Sequence, residues 1–264
     1  MRTILLAVAL SVCAFGQAQP SGSSTSIPIA QQNALQAKAV LNQAIQALGG
    51  SAYLNVRDIS QEGRSYSFYH GQPNSEGIQF WRFIKYPDKD RIELTKQRDV
   101  IEIYNGVKGY EVTYKGVHNQ VEKDLKDYLR RRHYSLSEVL RTWINQPGVA
   151  LFYDNQTVAE GKQVDQVTVM NAQNEGVTLF IDTSTHLPVK KTFTWRDPAD
   201  RERNTEDEVY AEYRLVQNVN TPWIVTRSFN GDTAGESFLN TVTYNQNLPD
   251  SLFDPNTPSP AHKK

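Results

Sequence analysis

Cysteine is almost absent from this chain. Cys13 is the only one, and it lies within the first twenty residues. A leader that carries it away leaves no disulfide and no thiol chemistry, so stability must come from a buried core, which a chain of this length can build. An excess of either charge is also lacking: 28 Lys and Arg face 29 Asp and Glu, a formal net charge of −1. That balance offers no electrostatic support for nucleic acid or an anionic membrane as partner. Beyond the N-terminus no apolar run approaches the roughly 20 residues a membrane-crossing helix needs. The signatures of nucleophile elbows, phosphate loops and dinucleotide folds are missing. The five histidines, His70, His118, His133, His186 and His262, show no metal-ligand spacing, and each falls near an expected turn, helix end or terminus. The reading is therefore non-catalytic, with no metal and no cofactor.

Some charged groupings do exist. Glu206/Glu208 and Asp88/Asp90 are carboxylate pairs, but they fall in charged segments that read as solvated, a weak basis for glycosidase chemistry. Asp88, Asp90 and Glu93 lack the spacing of an EF-hand loop. Arg130-Arg131-Arg132 is the one basic run. It reads as the solvated end of a helix, where cations oppose the helix dipole. A surface for an anionic partner is the sharper alternative.

The first eighteen residues have the form of a secretory signal. Arg2 supplies a positive n-region, Ile4 to Ala14 an apolar h-region, and Gly16-Gln17-Ala18 the small residues a signal peptidase reads. The rival is a lipoprotein signal at Leu10-Ser11-Val12-Cys13, but Val12 is bulky where a small residue is needed. Cleavage near Ala18 and a periplasmic location are expected. Residues 19–30 read as a flexible leader and 256–264 as a disordered tail.

Between them, 31–255 read as one domain. Ala34, Ala37, Leu41, Ala44, Ile45 and Leu48 recur at helical spacing and predict a helix over 31–48, ended by Gly49-Gly50. From Arg57 the texture is β, with strands predicted at 57–69, 77–86, 90–97, 99–105 and 109–115, and again at 149–153, 161–171, 175–182, 187–196, 207–216, 221–230 and 235–246. Turn chemistry such as Asn105-Gly106 between short strands predicts an antiparallel meander. A helical insertion over 122–145 interrupts it, divided in two by the capping-box pattern Ser135-Leu136-Ser137-Glu138. The expected fold class is mainly β with a few helices, a barrel or strongly curved sheet.

Aromatic and aliphatic density on the strands carries the functional content. In 78–86, Ile78, Phe80, Ile84 and Tyr86 point one way while Trp81 and Phe83 point the other, so something apolar lies on each side. Phe80, Trp81, Phe83, Ile101, Ile103, Tyr110, Leu179, Ile181, Phe193 and Trp195 are the principal members. Each alone fits an ordinary core. Together they are candidates to line an apolar ligand cavity.

Several turn and strand patterns resemble a known group. They are Leu41-x3-Ile45-x2-Leu48-Gly49-Gly50, Leu54-x-Val56, Tyr86-Pro87-Asp88-Lys89-x-Arg91, and Tyr104-Asn105-Gly106-x2-Gly109-Tyr110. Further on stand Ile181-Asp182-x4-Leu187-Pro188-Val189, Thr221-Pro222-Trp223 with Arg227, and Leu248-Pro249-x2-Leu252-Phe253. Over most of 35–255 the chain resembles LolA-like periplasmic proteins, the outer-membrane lipoprotein-sorting or carrier family. The resemblance implies an unclosed antiparallel β-barrel covered by helices, with the 122–145 insertion as lid or plug. It also implies a carrier for a lipid or lipoprotein acyl chain. An envelope sensor or assembly factor that binds a protein partner is the alternative, and a secreted hydrolase ranks last.

Overall fold

A computed structural model describes residues 28–74 and 76–257. The expected signal sequence and most of the expected leader lie outside the described residues, as does the expected tail from residue 258. The first helix, α1 (Ile29–Leu48), buries Ala37, Val40, Leu41, Ala44, Ile45 and Leu48 on one stripe, the face its periodicity marks out. It starts two residues inside the expected leader and ends at Gly49 and Gly50, both at positive φ. Their N–H groups return to Gln46 and Ile45, closing the last turn. A side chain on Gly49 would collide with the Asn218 backbone, so this helix end docks closely on the sheet. The short α2 (Ser51–Leu54) leads into the β region.

The strands are β1 (Asp58–Tyr69), β2 (Gln72–Pro73), β3 (Ile78–Lys85), β4 (Lys89–Leu94), β5 (Val100–Asn105), β6 (Lys108–Thr113) and β7 (Gly116–Asn119). After the insertion come β8 (Ala150–Ala159), β9 (Lys162–Met170), β10 (Gly176–Asp182), β11 (Pro188–Arg196), β12 (Arg203–Val216), β13 (Val219–Phe229) and β14 (Asp232–Tyr244). Apart from β2, which pairs with β1, their order across the sheet is β7-β6-β5-β4-β3-β1-β14-β13-β12-β11-β10-β9-β8. Every pairing is antiparallel. The meander is as expected, with one addition. Its first and last long strands, β1 and β14, pair at the centre, and the two edges are β7 and β8, neighbours in sequence. The barrel is therefore unclosed along a seam between β7 and β8, and the helical insertion links the two sides of that seam.

The insertion forms α3 (Glu122–His133), α4 (Leu136–Arg141) and a 3₁₀ turn at Trp143–Asn145. Ser135 caps α4 by accepting a hydrogen bond from the Glu138 N–H at 3.2 Å. The strand patterns differ from expectation at four places, the short β2 being one. β7 is an added strand, β8 runs on to Ala159, and β12 begins at Arg203, which shortens the charged excursion after Asp197.

The two faces of the sheet have different covers. On the inner face α1, α4 and the 3₁₀ turn seal β9–β11: Val167, Val169, Val177, Leu179 and Ile181 have no exposed surface and pack with Leu41, Leu140 and Trp143. On the outer face of β3–β6 the C-terminal segment covers Ile101 and Ile103 with Leu248 and Phe253. Edge β8 is guarded as well. The Asn33 side chain of α1 donates to Tyr153 O at 2.7 Å and accepts from Tyr153 N at 2.9 Å, occupying backbone groups a further strand would need.

Candidate functional site: a trough under a bridging helix

Residues that face each other across antiparallel strands share a face of the sheet. That rule separates the ten apolar candidates. Leu179, Ile181, Phe193 and Trp195 lie on the inner face of β10 and β11, within or against the sealed core. Phe80 also points inward, opposite Gly63 and Leu94. Trp81, Phe83, Ile101, Ile103 and Tyr110 point outward. Ile103 faces Tyr110 and Arg91, and Phe83 faces Arg91. Phe83, Ile101, Ile103 and Tyr110 form one cluster beneath Leu248, Leu252 and Phe253. Trp81 faces Glu93 and carries the Arg98 guanidinium at 5.0 Å. The structure thus divides the candidates between two faces, and the second apolar side of strand 78–86 is filled by the chain's own C-terminal segment. Alternation identifies two faces but not what covers each.

The inner face is sealed unevenly. Beyond β11, the positions Val225 and Arg227 of β13, Ser237 and Leu239 of β14, and Ser65 of β1 are only half-buried. These residues make up a half-buried stretch of the inner face, the trough, beyond the part that α1 and α4 seal. One row crosses it on five strands by direct register: Lys191, Glu208, Arg227, Gly235 and Ser67. The next row toward the β13–β14 turn is Phe193, Glu206 and Phe229, and the row on the other side includes Tyr210, Val225, Ser237, Ser65 and Ile78.

Helix α3 spans this trough. On one side the Tyr128 ring stacks on Tyr104 of β5 with centroids 3.4 Å apart, and its hydroxyl donates to Asp90 Oδ2 at 3.0 Å. Asp90 in turn pairs with Arg82 at 2.6 Å. On the other side the Arg130 guanidinium lies 4.0 Å from the centre of the Trp195 ring, and Tyr134 just past the helix stacks on Phe193 at 4.4 Å. Arg132 donates to Asp88 O at 3.2 Å. The basic run 130–132 is therefore half-buried against the sheet, not a solvated helix end, because the insertion folds back over the barrel mouth.

The carboxylate pairs are corrected in the same way. Asp90 and Glu206 are each 2% exposed, and Glu206 and Glu208 both face inward. Strand β12 starts earlier than expected, and two residues two apart on a strand share a face. Lys191, with no exposed surface, pairs with Glu208 at 2.9 Å, and the Tyr210 hydroxyl donates to Glu208 at 2.7 Å. Burial acts to raise the Glu208 carboxyl, but Lys191 and Tyr210 overcome it and hold it below the usual range. Glu206 has no such partner. Burial raises its carboxyl although Arg227 and Arg131 pull it down, and its Oε1 accepts no hydrogen bond. Sequence reasoning passed over Arg131, Lys191, Glu206, Glu208 and Arg227 as a group. For the four on strands, charge at alternating positions of strands rich in aromatics was the signal available.

An unclosed antiparallel barrel with helices across its mouth is the class of protein that this fold and trough define. No protein-family model and no curated protein matches the chain. Solved structures do. A DUF1329-family protein of Desulfovibrio piger superposes with a TM-score of 0.58 at 10% identity, over 83% of this chain and 97% of the other. A putative outer membrane lipoprotein-sorting protein domain of Vibrio parahaemolyticus gives 0.55 at 10% identity, over 83% and 98%. A LolA superfamily protein of Nitrosomonas europaea gives 0.51 at 9% identity, over 82% and 96%. The fold is LolA-like.

Proposed function

We propose that the protein is an exported, periplasmic and non-catalytic carrier for an apolar ligand, such as a lipid or a lipoprotein acyl chain. The observation that carries this reading is the half-buried floor of β13, β14 and β1 beneath a helix that bridges the barrel mouth. The signal-like residues 1–18 and the fold shared with a lipoprotein-sorting domain support it. Among the described residues no helix is long and apolar enough to cross a membrane. Each methylene moved from water into the trough contributes about 0.8 kcal/mol. Helix α3 acts as the lid: breaking its contacts to Tyr104 and Asp90 opens one side while Arg130 and Tyr134 hold the other. The test is mass spectrometry of lipids extracted from natively purified protein, with uptake of a fluorescent fatty acid by the delipidated chain. Co-purified lipid and saturable uptake are expected, and absence of both sinks the reading.

A protein partner is the second reading. It is favoured by edge strand β7, where all four residues are exposed and which sits beside the 91%-exposed Tyr114. Such an edge can accept a strand from another chain. Pull-down from envelope extracts with a Val117→Pro variant as control tests it. A partner that binds the variant equally well rules out the edge.

A further inference from the structure

The trough contains two cations whose charges act on the Glu206 carboxyl without a hydrogen bond to it. Arg131 of α3 and Arg227 of β13 are half-buried, and among the described residues neither enters an ion pair or a hydrogen bond. Arg131 sits on α3 between Tyr128 and Tyr134, which anchor opposite sides of the mouth. Arg227 faces inward in the row with Glu208 and Lys191. After burial, the charge of Arg227 is the main influence lowering the pKa of Arg131. Two guanidiniums held together and partly desolvated repel each other unless an anion lies between them. The neighbouring groups supply it only in part. Lys191 and Glu208 form an ion pair with each other at 2.9 Å. Arg130 is taken by Asp127 at 2.7 Å and by the Trp195 ring. That leaves Glu206, a single carboxyl facing both arginines, with Oε1 buried and unpartnered. Arg131, Lys191 and Arg227 set against Glu206 and Glu208 leave one positive charge inside the trough.

Beside this polar spot the floor turns apolar. Val225 adjoins Arg227 along β13, Leu239 lies on β14, and Ile78 and Phe80 of β3 and Leu94 of β4 continue the apolar side beyond Ser237, Ser65 and Gly63. From β13 to β3 is three strand spacings, about 14 Å. The polar and apolar parts are thus laid end to end.

We infer that the trough takes an amphiphile with a single acyl chain and an oxyanion headgroup, carboxylate or phosphate, with the headgroup between Arg131 and Arg227 and the chain along Val225, Leu239 and Phe80. Guanidinium forks match both oxyanions with paired hydrogen bonds. The inference rests on the carrier reading and deepens it, since it names the ligand class.

The experiment is displacement of the neutral probe N-phenyl-1-naphthylamine from delipidated protein at neutral pH. Competitors are hexadecanoate, 1-hexadecanoyl lysophosphatidate, the uncharged 1-monohexadecanoylglycerol and inorganic phosphate. Both anionic amphiphiles should displace the probe at about tenfold lower concentration than the glyceride, the order expected of charge-assisted pairs. In the Arg131→Gln/Arg227→Gln double variant that ratio should fall to about one, while Arg131→Lys/Arg227→Lys, which keeps the charge, retains part of it. Equal displacement by charged and uncharged amphiphiles overturns the headgroup site. Phosphate alone protecting the chain against urea as well as lysophosphatidate does overturns the amphiphile. Failure of all three lipids to displace bound probe counts against the carrier reading itself.

Discussion

Tyr128 of α3 lies flat on Tyr104 of β5, ring planes 5° from parallel, and its hydroxyl reaches past that ring to the buried Asp90. This pairing fixes one side of α3 over the trough. Tyr128→Phe loses the hydrogen bond to a charged acceptor and should cost about 2 kcal/mol in urea unfolding. Tyr128→Ala also loses the stack. It should expose the 130–132 run, so trypsin cleavage there should be faster than in the parent protein under native conditions. Unchanged cleavage would show that the stack does not hold the lid.

Gly63 sits at a register shift between β1 and β14, and Phe80 lies over it. A Cβ at this position would press on the Phe238 carbonyl oxygen and come within 2.8 Å of Phe80 Cζ. Backbone cannot give way as a flexible side chain can. Gly63→Ala should therefore destabilise by about 2 kcal/mol, and thermal unfolding of the variant checks it.

Asp182 closes the β10–β11 turn. Burial alone would raise its carboxyl, but hydrogen bonds from the Ser184 hydroxyl, from the Ser184 and Thr185 N–H groups, and from the Lys162 ammonium at 3.4 Å outweigh this and hold it at about 2. The folded value lies below the unfolded one of 3.8. The contribution is thus fully present above the unfolded value and is lost as pH falls through the range down to about 2. It amounts to about 2 kcal/mol. Urea midpoints measured across that window should drop for the parent protein, and Asp182→Asn should flatten the part of the slope this group supplies.

Asn33 meets the backbone of Tyr153 with both ends of its amide. Asn33→Ala should cost about 2 kcal/mol for the two bonds and free the middle of edge β8. Light scattering should then report self-association that grows with concentration. A destabilised but strictly monomeric variant would show that β8 is guarded by something other than Asn33.

Much of the architecture was legible locally. Apolar residues at helical spacing marked α1, Asn105-Gly106 and its like marked turns, and Ser135 with Glu138 marked the break within the insertion. Each is a short-range relationship, set within a few residues by backbone geometry. The site was legible only in part. Phe193 and Trp195 do line the inner face beside the trough, whereas Ile101 and Ile103 lie under Phe253, about 150 residues later in the chain. Alternation assigns residues to opposite faces with equal force whichever face is inside.

The sequence by itself determined the alternation, the turns, the helical insertion and the lack of thiol chemistry beyond Cys13, because these depend on composition and near neighbours. Only the tertiary structure decided three things: that β1 pairs with β14, that the Arg130–Arg132 run turns inward, and that Glu206 is buried where the charges of Arg131 and Arg227 act on it. Each depends on contacts between residues far apart in sequence. A charged side chain on a strand carries no local mark that says whether water or a folded-back helix will cover it.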